Sequence, residues 1–191
     1  MLTPEERTRL QQRFYPELEE VVFGPLHAAL SSPELEGAVI LDAGCGKGSW
    51  IVQEHRERYR VLVGVDIYAA DNRIADAFTV SDLGALPFRE GSFDLVLCYV
   101  VMEHLQRPAQ VLAEFHRVLA PSGLFLFKTP YANAPTSLFT RLVPNDWHAK
   151  LKGTIGIADD DVFPTYFRCN TPTRLRKLLA EQPLPKPSGE G

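Results

Sequence analysis

The chain has 191 residues, 45% of them hydrophobic, and a formal charge of -4 from 24 acidic and 20 basic side chains. That length suits one domain with a real core, and the slight acid excess without any Lys/Arg run argues against a nucleic-acid or anionic-membrane partner, leaving a small, neutral or cationic one. The three cysteines, Cys45, Cys98 and Cys169, lie far apart and form no CxxC pair, which argues against a disulfide frame and against a zinc site and points to a reducing compartment.

The N-terminal stretch "MLTPEERTRLQQRF" is polar and charged, unlike a secretory leader, and no apolar run approaches about 18 residues, so a cytoplasmic chain without a membrane span is expected. Residues 3–30 read as helical: Thr3 can cap, Pro4 suits the first helical place and the acids behind it suit the helix dipole. Pro16 and Pro25 are expected to break this stretch into pieces. From Ala38 the texture changes to short apolar runs of strand length, rich in β-branched and aromatic residues, at 38–43, 60–66, 77–80, 93–100 and 123–129. Between the last two, Val111, Leu112, Phe115, Val118 and Leu119 recur at helical spacing, with Pro108 before them and Pro121 and Gly123 after. Strands apolar on both faces and separated by helical segments imply a parallel sheet covered on each side, an α/β doubly wound fold. Residues 131–168 show no clear periodicity. "TPTRLRKLLAEQ" then reads as a capped helix with Leu175, Leu178 and Leu179 on one face, and the Pro/Gly-rich tail from Pro183 reads as disordered.

The first strand runs into "DAGCGKGSW", with glycine at 44, 46 and 48. In a strand-turn-helix unit, glycine permits positive φ and lets a ligand approach the main chain at the carboxyl end of the strand. The spacing is GxGxG; a dinucleotide fingerprint would need glycine or alanine where Ser49 stands, and a phosphate loop of the GxxxxGK[ST] type is absent. A ligand with an adenosine but no pyrophosphate fits better than a nicotinamide cofactor. Asp66 ends the second strand, where an acid can accept from both ribose hydroxyls, and Asp82 follows the third, where it can accept from an adenine amino group while Leu83 packs on the ring.

"VILDAGCGKG", "GVDI", "SDLGALPFREGSFDLVLCYVVMEHL" and "RVLAPSGLFLFKTP", in this order, resemble the motifs of class I S-adenosylmethionine-dependent methyltransferases of the small-molecule "type 11" group. The resemblance spans residues 38–130. It implies a Rossmann-like sheet, S-adenosyl-L-methionine as cofactor, a small-molecule methyl acceptor, and a cofactor site made of Asp42, Gly44, Cys45, Gly46, Gly48, Asp66, Ile67, Asp82, Leu83 and Tyr99, the last bordering the methyl group. Asp42 could equally cap the turn that follows it, and Asp82 could be an Asx-turn residue before Gly84. His104 and His148 are the candidate catalytic bases, His104 being equally suited to orienting its segment; Glu103 shares that ambiguity. No metal site is expected.

The family continues past this point with a hairpin that adds strands six and seven. Here the sequence turns Pro-rich instead, so a sheet lacking that hairpin is expected, with an exposed fifth-strand edge through which copies could self-associate. The expected organisation is a helical cap at 1–37, the cofactor-binding core at 38–130, a substrate-lid segment and helix at 131–182, and a tail at 183–191. Methyl transfer is the expected activity; a non-catalytic module that only holds the cofactor or its demethylated product is the alternative.

Overall fold

The computed structural model describes residues 18–134 and 163–181. Five strands, β1 (Val39–Ala43), β2 (Val61–Asp66), β3 (Ala77–Val80), β4 (Phe93–Tyr99) and β5 (Leu119–Lys128), form one parallel sheet in the order β3-β2-β1-β4-β5. Chain direction across the sheet reverses between β1 and β4, so the crevice beyond their carboxyl ends is the topological switch point where ligands bind in such sheets.

Helices lie on both faces. α1 (Leu18–Leu30) and the single turn α2 (Trp50–Gln53) pack Leu26, Leu30, Ile51 and Val52 against Ile40, Leu62, Leu95 and Leu97. On the other face α3 (Pro108–Val118) and α4 (Pro172–Ala180) cover Leu41, Ala43, Val65, Val96 and Cys98. Along β4, Leu95 and Leu97 point one way and Val96 and Cys98 the other, which is why that strand is apolar at nearly every place. The doubly wound fold read from the sequence is the one observed.

Four local expectations need correction. Pro25 lies inside α1 and does not break it; the buried Leu26 and Leu30 anchor the turn that follows the lost hydrogen bond, and two buried leucines, at roughly 1.5–3 kcal/mol each, offset a cost of about 3 kcal/mol. Helical segments do not separate every pair of strands. The β2–β3 connection is a loop, because Asn72 Oδ1 accepts from the N–H groups of Ile74 and Ala75 at 3.0 and 3.1 Å and so offers this backbone a turn in place of a helix. β5 begins at Leu119, directly after α3, with extra residues bulged out between the Phe93–Leu119 and Leu95–Leu124 pairings. In α4, capped by Thr171 Oγ1 accepting from Arg174 N–H, Leu175 and Leu178 pack on the core while Leu179 is exposed. Among the described residues β5 pairs only with β4, so its outer side is an edge, and no helix is long and apolar enough to cross a membrane.

Candidate active site at the carboxyl edge of the sheet

The loop after β1 is held by its own acids. Asp42 is buried and accepts from Ser49 twice, from Oγ at 2.8 Å and from N–H at 3.2 Å, so it fixes the start of α2. Burial pushes its carboxyl up to about 6, against the lowering effect of the Ser49 bonds and with a further push from Asp66. The Gly44 and Cys45 N–H groups both donate to the Val65 carbonyl, and that of Gly48 donates to Cys45. The Cys45 side chain turns inward, where Asn72 Nδ2 donates to its sulfur at 3.2 Å and burial raises the thiol to about 12, too high for a nucleophile.

The three glycines divide. At Gly44, with φ +75°, a Cβ would stand 2.5 Å from Val101 Cγ2, and at Gly48 it would meet Ile74, so the protein's own side chains fill the space above both. Gly46, with φ +51°, has nothing within 4 Å of where its Cβ would be, and its N–H donates to Asp66 Oδ2 at 2.8 Å. Asp66 Oδ1 accepts from Tyr68 N–H at 3.1 Å. Each carboxylate oxygen therefore keeps a second lone pair for a ligand, and the carboxylate is already oriented. Ile67 and Tyr68, next along the chain, are about 60% exposed.

Register sets the rest of the edge. Asp42 lies opposite Gly64 on β2 and Leu97 on β4; two residues further on, the chain presents Asp66, Gly44 and Tyr99 side by side, with Lys128 of β5 opposite Tyr99. With strands roughly 4.8 Å apart, that row is roughly 14 Å long from Asp66 to Lys128. Tyr99 Oη accepts from Trp50 Nε1 at 3.3 Å. Immediately after β4, Val100 has φ +57°, a strained conformation for a β-branched residue, which turns the chain so that Val101 packs over Gly44.

Asp82 makes the Asx turn, with Oδ1 accepting from Gly84 N–H at 2.8 Å, and its Oδ2 pairs with Arg107 at 3.1 Å; Leu83 beside it is buried. His104 Nδ1 lies 2.9 Å from the Pro164 carbonyl, which can only accept, so Nδ1 carries a proton and Nε2 is the basic atom, 3.9 Å from Glu103 Oε1. Glu103 is buried and accepts from Thr129 Oγ1 at 2.9 Å, and Asn170 Nδ2 in turn donates to Thr129. Its carbonyl accepts from Tyr166 and Phe167, which ties the segment before α4 to this corner. Phe163 stacks on Tyr68 at 5.7 Å and meets the His104 ring edge-on at 5.9 Å, so it bridges the ends of β2 and β4. His148 lies outside the described residues. Sequence reasoning missed Trp50, Phe23 and Lys128, which meet only through strand register and the docking of α1, and it missed Asn72, whose place in a loop carries no motif.

Residues 41–127 match the family model of the methyltransferase domain. Over that segment the chain is similar to S-adenosylmethionine-dependent methyltransferases. It is 32% identical over 117 residues to the malonyl-[acyl-carrier protein] O-methyltransferase of Erwinia billingiae, covering 58% of this chain and 46% of that protein. Among solved structures, a methyltransferase candidate from Bacillus halodurans superposes with a TM-score of 0.59 at 16% identity, over 83% of this chain and 66% of the other. The Burkholderia thailandensis 1,6-didemethyltoxoflavin-N1-methyltransferase, solved with its acceptor and S-adenosylhomocysteine bound, gives a TM-score of 0.51 at 22% identity, over 71% of this chain and 68% of the other. At these identities the structural likeness is one of fold. The chain spans a third to a half of the length of the curated relatives it matches, from 33% to 50%. Its crevice joins an oriented carboxylate, an open glycine and a half-buried tyrosine at one sheet edge, an arrangement that can bind a ribose-bearing ligand and shield its far end from water.

Proposed function

We propose that the chain binds S-adenosyl-L-methionine at this edge and transfers its methyl group to a small-molecule acceptor by in-line displacement. The observation that carries the reading is the Gly46–Asp66 pair: open space above a glycine whose N–H orients a carboxylate at the end of β2. The residues present fit such a ligand. Asp66 has lone pairs left for both ribose hydroxyls, Gly46 allows close approach, and exposed Ile67 supplies apolar surface for the base, with the small part of Leu83 that its neighbours leave uncovered. Asp82 reaches an adenine amino group once its exposed contact with Arg107 yields, at a cost of about 1 kcal/mol or less. Tyr99 borders the methyl end. When bound, the cofactor supplies an already activated methyl group, so the chain's main contribution is to place the acceptor in line and keep water out, and a general base is optional. His104 Nε2 is the candidate base for a hydroxyl or carbon acceptor.

The bound S-adenosylhomocysteine of the toxoflavin enzyme supports the cofactor, and its small acceptor supports the substrate class; the acyl-carrier substrate named for the Erwinia enzyme shows that relatives also act on protein-borne groups. The proposed division is a helical cap at 1–37, the cofactor core at 38–130, a lid segment and helix at 131–182 and a tail at 183–191, in a cytoplasmic protein whose β5 edge offers a route to self-association. Asp66→Ala tests the cofactor site. It removes both ribose bonds and weakens S-adenosylhomocysteine binding in calorimetry by about 2–4 kcal/mol. An unchanged dissociation constant in a folded variant refutes the assignment.

A non-catalytic cofactor-binding module is the second reading, since the Gly46–Asp66 pair bears on the cofactor and not on an acceptor. Labelled-methyl transfer by the purified chain refutes it, and tight cofactor binding without transfer supports it.

A further inference from the structure

Beyond the glycine loop, the row of edge residues ends in a cluster drawn from four elements. The Lys128 ammonium lies 4.1 Å from the centroid of the Phe23 ring and 5.3 Å from that of Tyr99. Trp50 closes the group edge-on, its ring 5.3 Å from Phe23 and 6.2 Å from Tyr99. The Tyr99 hydroxyl is occupied by the indole N–H, so the rings are braced against one another. Lys128 is half-buried, and among the described residues no carboxylate pairs with it. An ammonium partly removed from water and matched only by ring faces is left with donor capacity to spare.

We propose that Lys128 recognises a carboxylate on the methyl acceptor, so that the acceptor is an acid, with Phe23, Trp50 and Tyr99 forming the apolar wall along its body. The inference rests on the reading that S-adenosyl-L-methionine occupies the crevice with its methyl end toward Tyr99. Under that reading two positive charges, the sulfonium and the ammonium, flank the acceptor space. In a partly desolvated site a cationic acceptor is repelled from both sides, a neutral one leaves Lys128 without a partner, and an anion is attracted to both. Lysine presents a single compact charge on a flexible stem, which suits end-on contact with a carboxylate while the stem lies along the rings. The whole-chain charge of -4 points to neutral or cationic partners, but it is a sum over the surface, whereas this lysine sits where the acceptor must go.

The test is calorimetric titration of the S-adenosylhomocysteine-saturated protein with a panel of aromatic carboxylic acids, each beside its neutral primary amide. At least one acid is expected to bind, with its amide about tenfold weaker or more. Lys128→Gln abolishes that preference and Lys128→Arg keeps it, while affinity for S-adenosylhomocysteine stays the same and so reports an intact fold. Lys128→Met, which keeps the stem on the rings, replaces the glutamine variant where the latter does not fold. Acid preference that survives loss of the charge, equal binding of acids and amides, or no binding by any member of the panel overturns the proposal. Failure of the wild-type chain to bind S-adenosylhomocysteine overturns the cofactor reading instead; the same panel on the ligand-free protein then decides whether Lys128 selects anions.

Discussion

The two ends of the carboxyl edge are built by opposite means. At the β1–β2 end, the loop after β1 and the end of β2 do nearly everything: Ser49 donates to Asp42, Gly46 to Asp66 and Gly44 to the Val65 carbonyl, and of the three loop glycines only Gly46 faces open space. At the β4–β5 end, Tyr99, Lys128, Phe23 and Trp50 come from four separate elements and leave a charge without an anionic partner among the described residues. On the proposed reading the self-satisfied loop holds the cofactor, a ligand common to many enzymes, and the assembled, incompletely satisfied cluster is where the acceptor is chosen.

The largest expected effect breaks the loop end. Gly44→Ala combines a left-handed φ of +75° with a Cβ 2.5 Å from Val101, and the two together cost about 2–5 kcal/mol of stability in urea unfolding. Adding Val101→Ala to it removes the clash and recovers the steric part. If the double variant is no more stable than the sum of the two single changes, Val101 is not what makes glycine necessary there.

Asp42 gives the next effect, and its sign is fixed by the direction of its shift. Its carboxyl stands at about 6 in the fold against 3.8 for the ordinary group, so folding favours the protonated form. The contribution is complete below the unfolded value and is lost as pH rises through about 6, a change of about 3 kcal/mol at roughly 1.4 kcal/mol per pH unit. Asp42→Asn keeps an acceptor for Ser49 and cannot ionise, so its stability relative to wild type rises between about pH 4 and pH 7. A difference that stays constant over that range shows that Asp42 is not the titrating group.

Gly46→Ala sharpens the contrast between the glycines. Nothing blocks its Cβ, so stability falls by only about 1–2 kcal/mol from the backbone conformation, yet the methyl enters the space assigned to the cofactor and lowers S-adenosylhomocysteine affinity by about tenfold or more. Loss of stability without loss of affinity places the ligand elsewhere.

The same contrast explains what could be read from the sequence. Strand and helix positions were legible because burial on both faces of β1 and β4 forces nearly continuous apolar runs, and because α3 repeats its core residues every turn. The glycine loop was legible because its chemistry is local. That Gly44 serves packing while Gly46 serves the opening was not, since the difference depends on Val101, which strained Val100 brings back over the loop. Tyr99 was legible as a place at the end of a strand; its partnership with Lys128, Phe23 and Trp50 was hidden, because register and helix docking leave no periodic trace. Pro25 misled because a local rule about proline competes with tertiary burial, and here the burial of Leu26 and Leu30 prevails.

The smallest expected effect concerns Asp82, where the sequence left two roles open and the structure shows one of them, the Asx turn. Arg107 and Asp82 are 66% and 49% exposed, so water screens their contact, and Arg107→Ala changes stability by about 1 kcal/mol or less. The substitution also frees Asp82 Oδ2 to accept from an adenine amino group. Affinity for S-adenosylhomocysteine is therefore expected to rise slightly, by less than about tenfold. A fall in affinity would mean that the guanidinium itself touches the ligand, and the adenine would then lie between Asp82 and Arg107 rather than against Leu83.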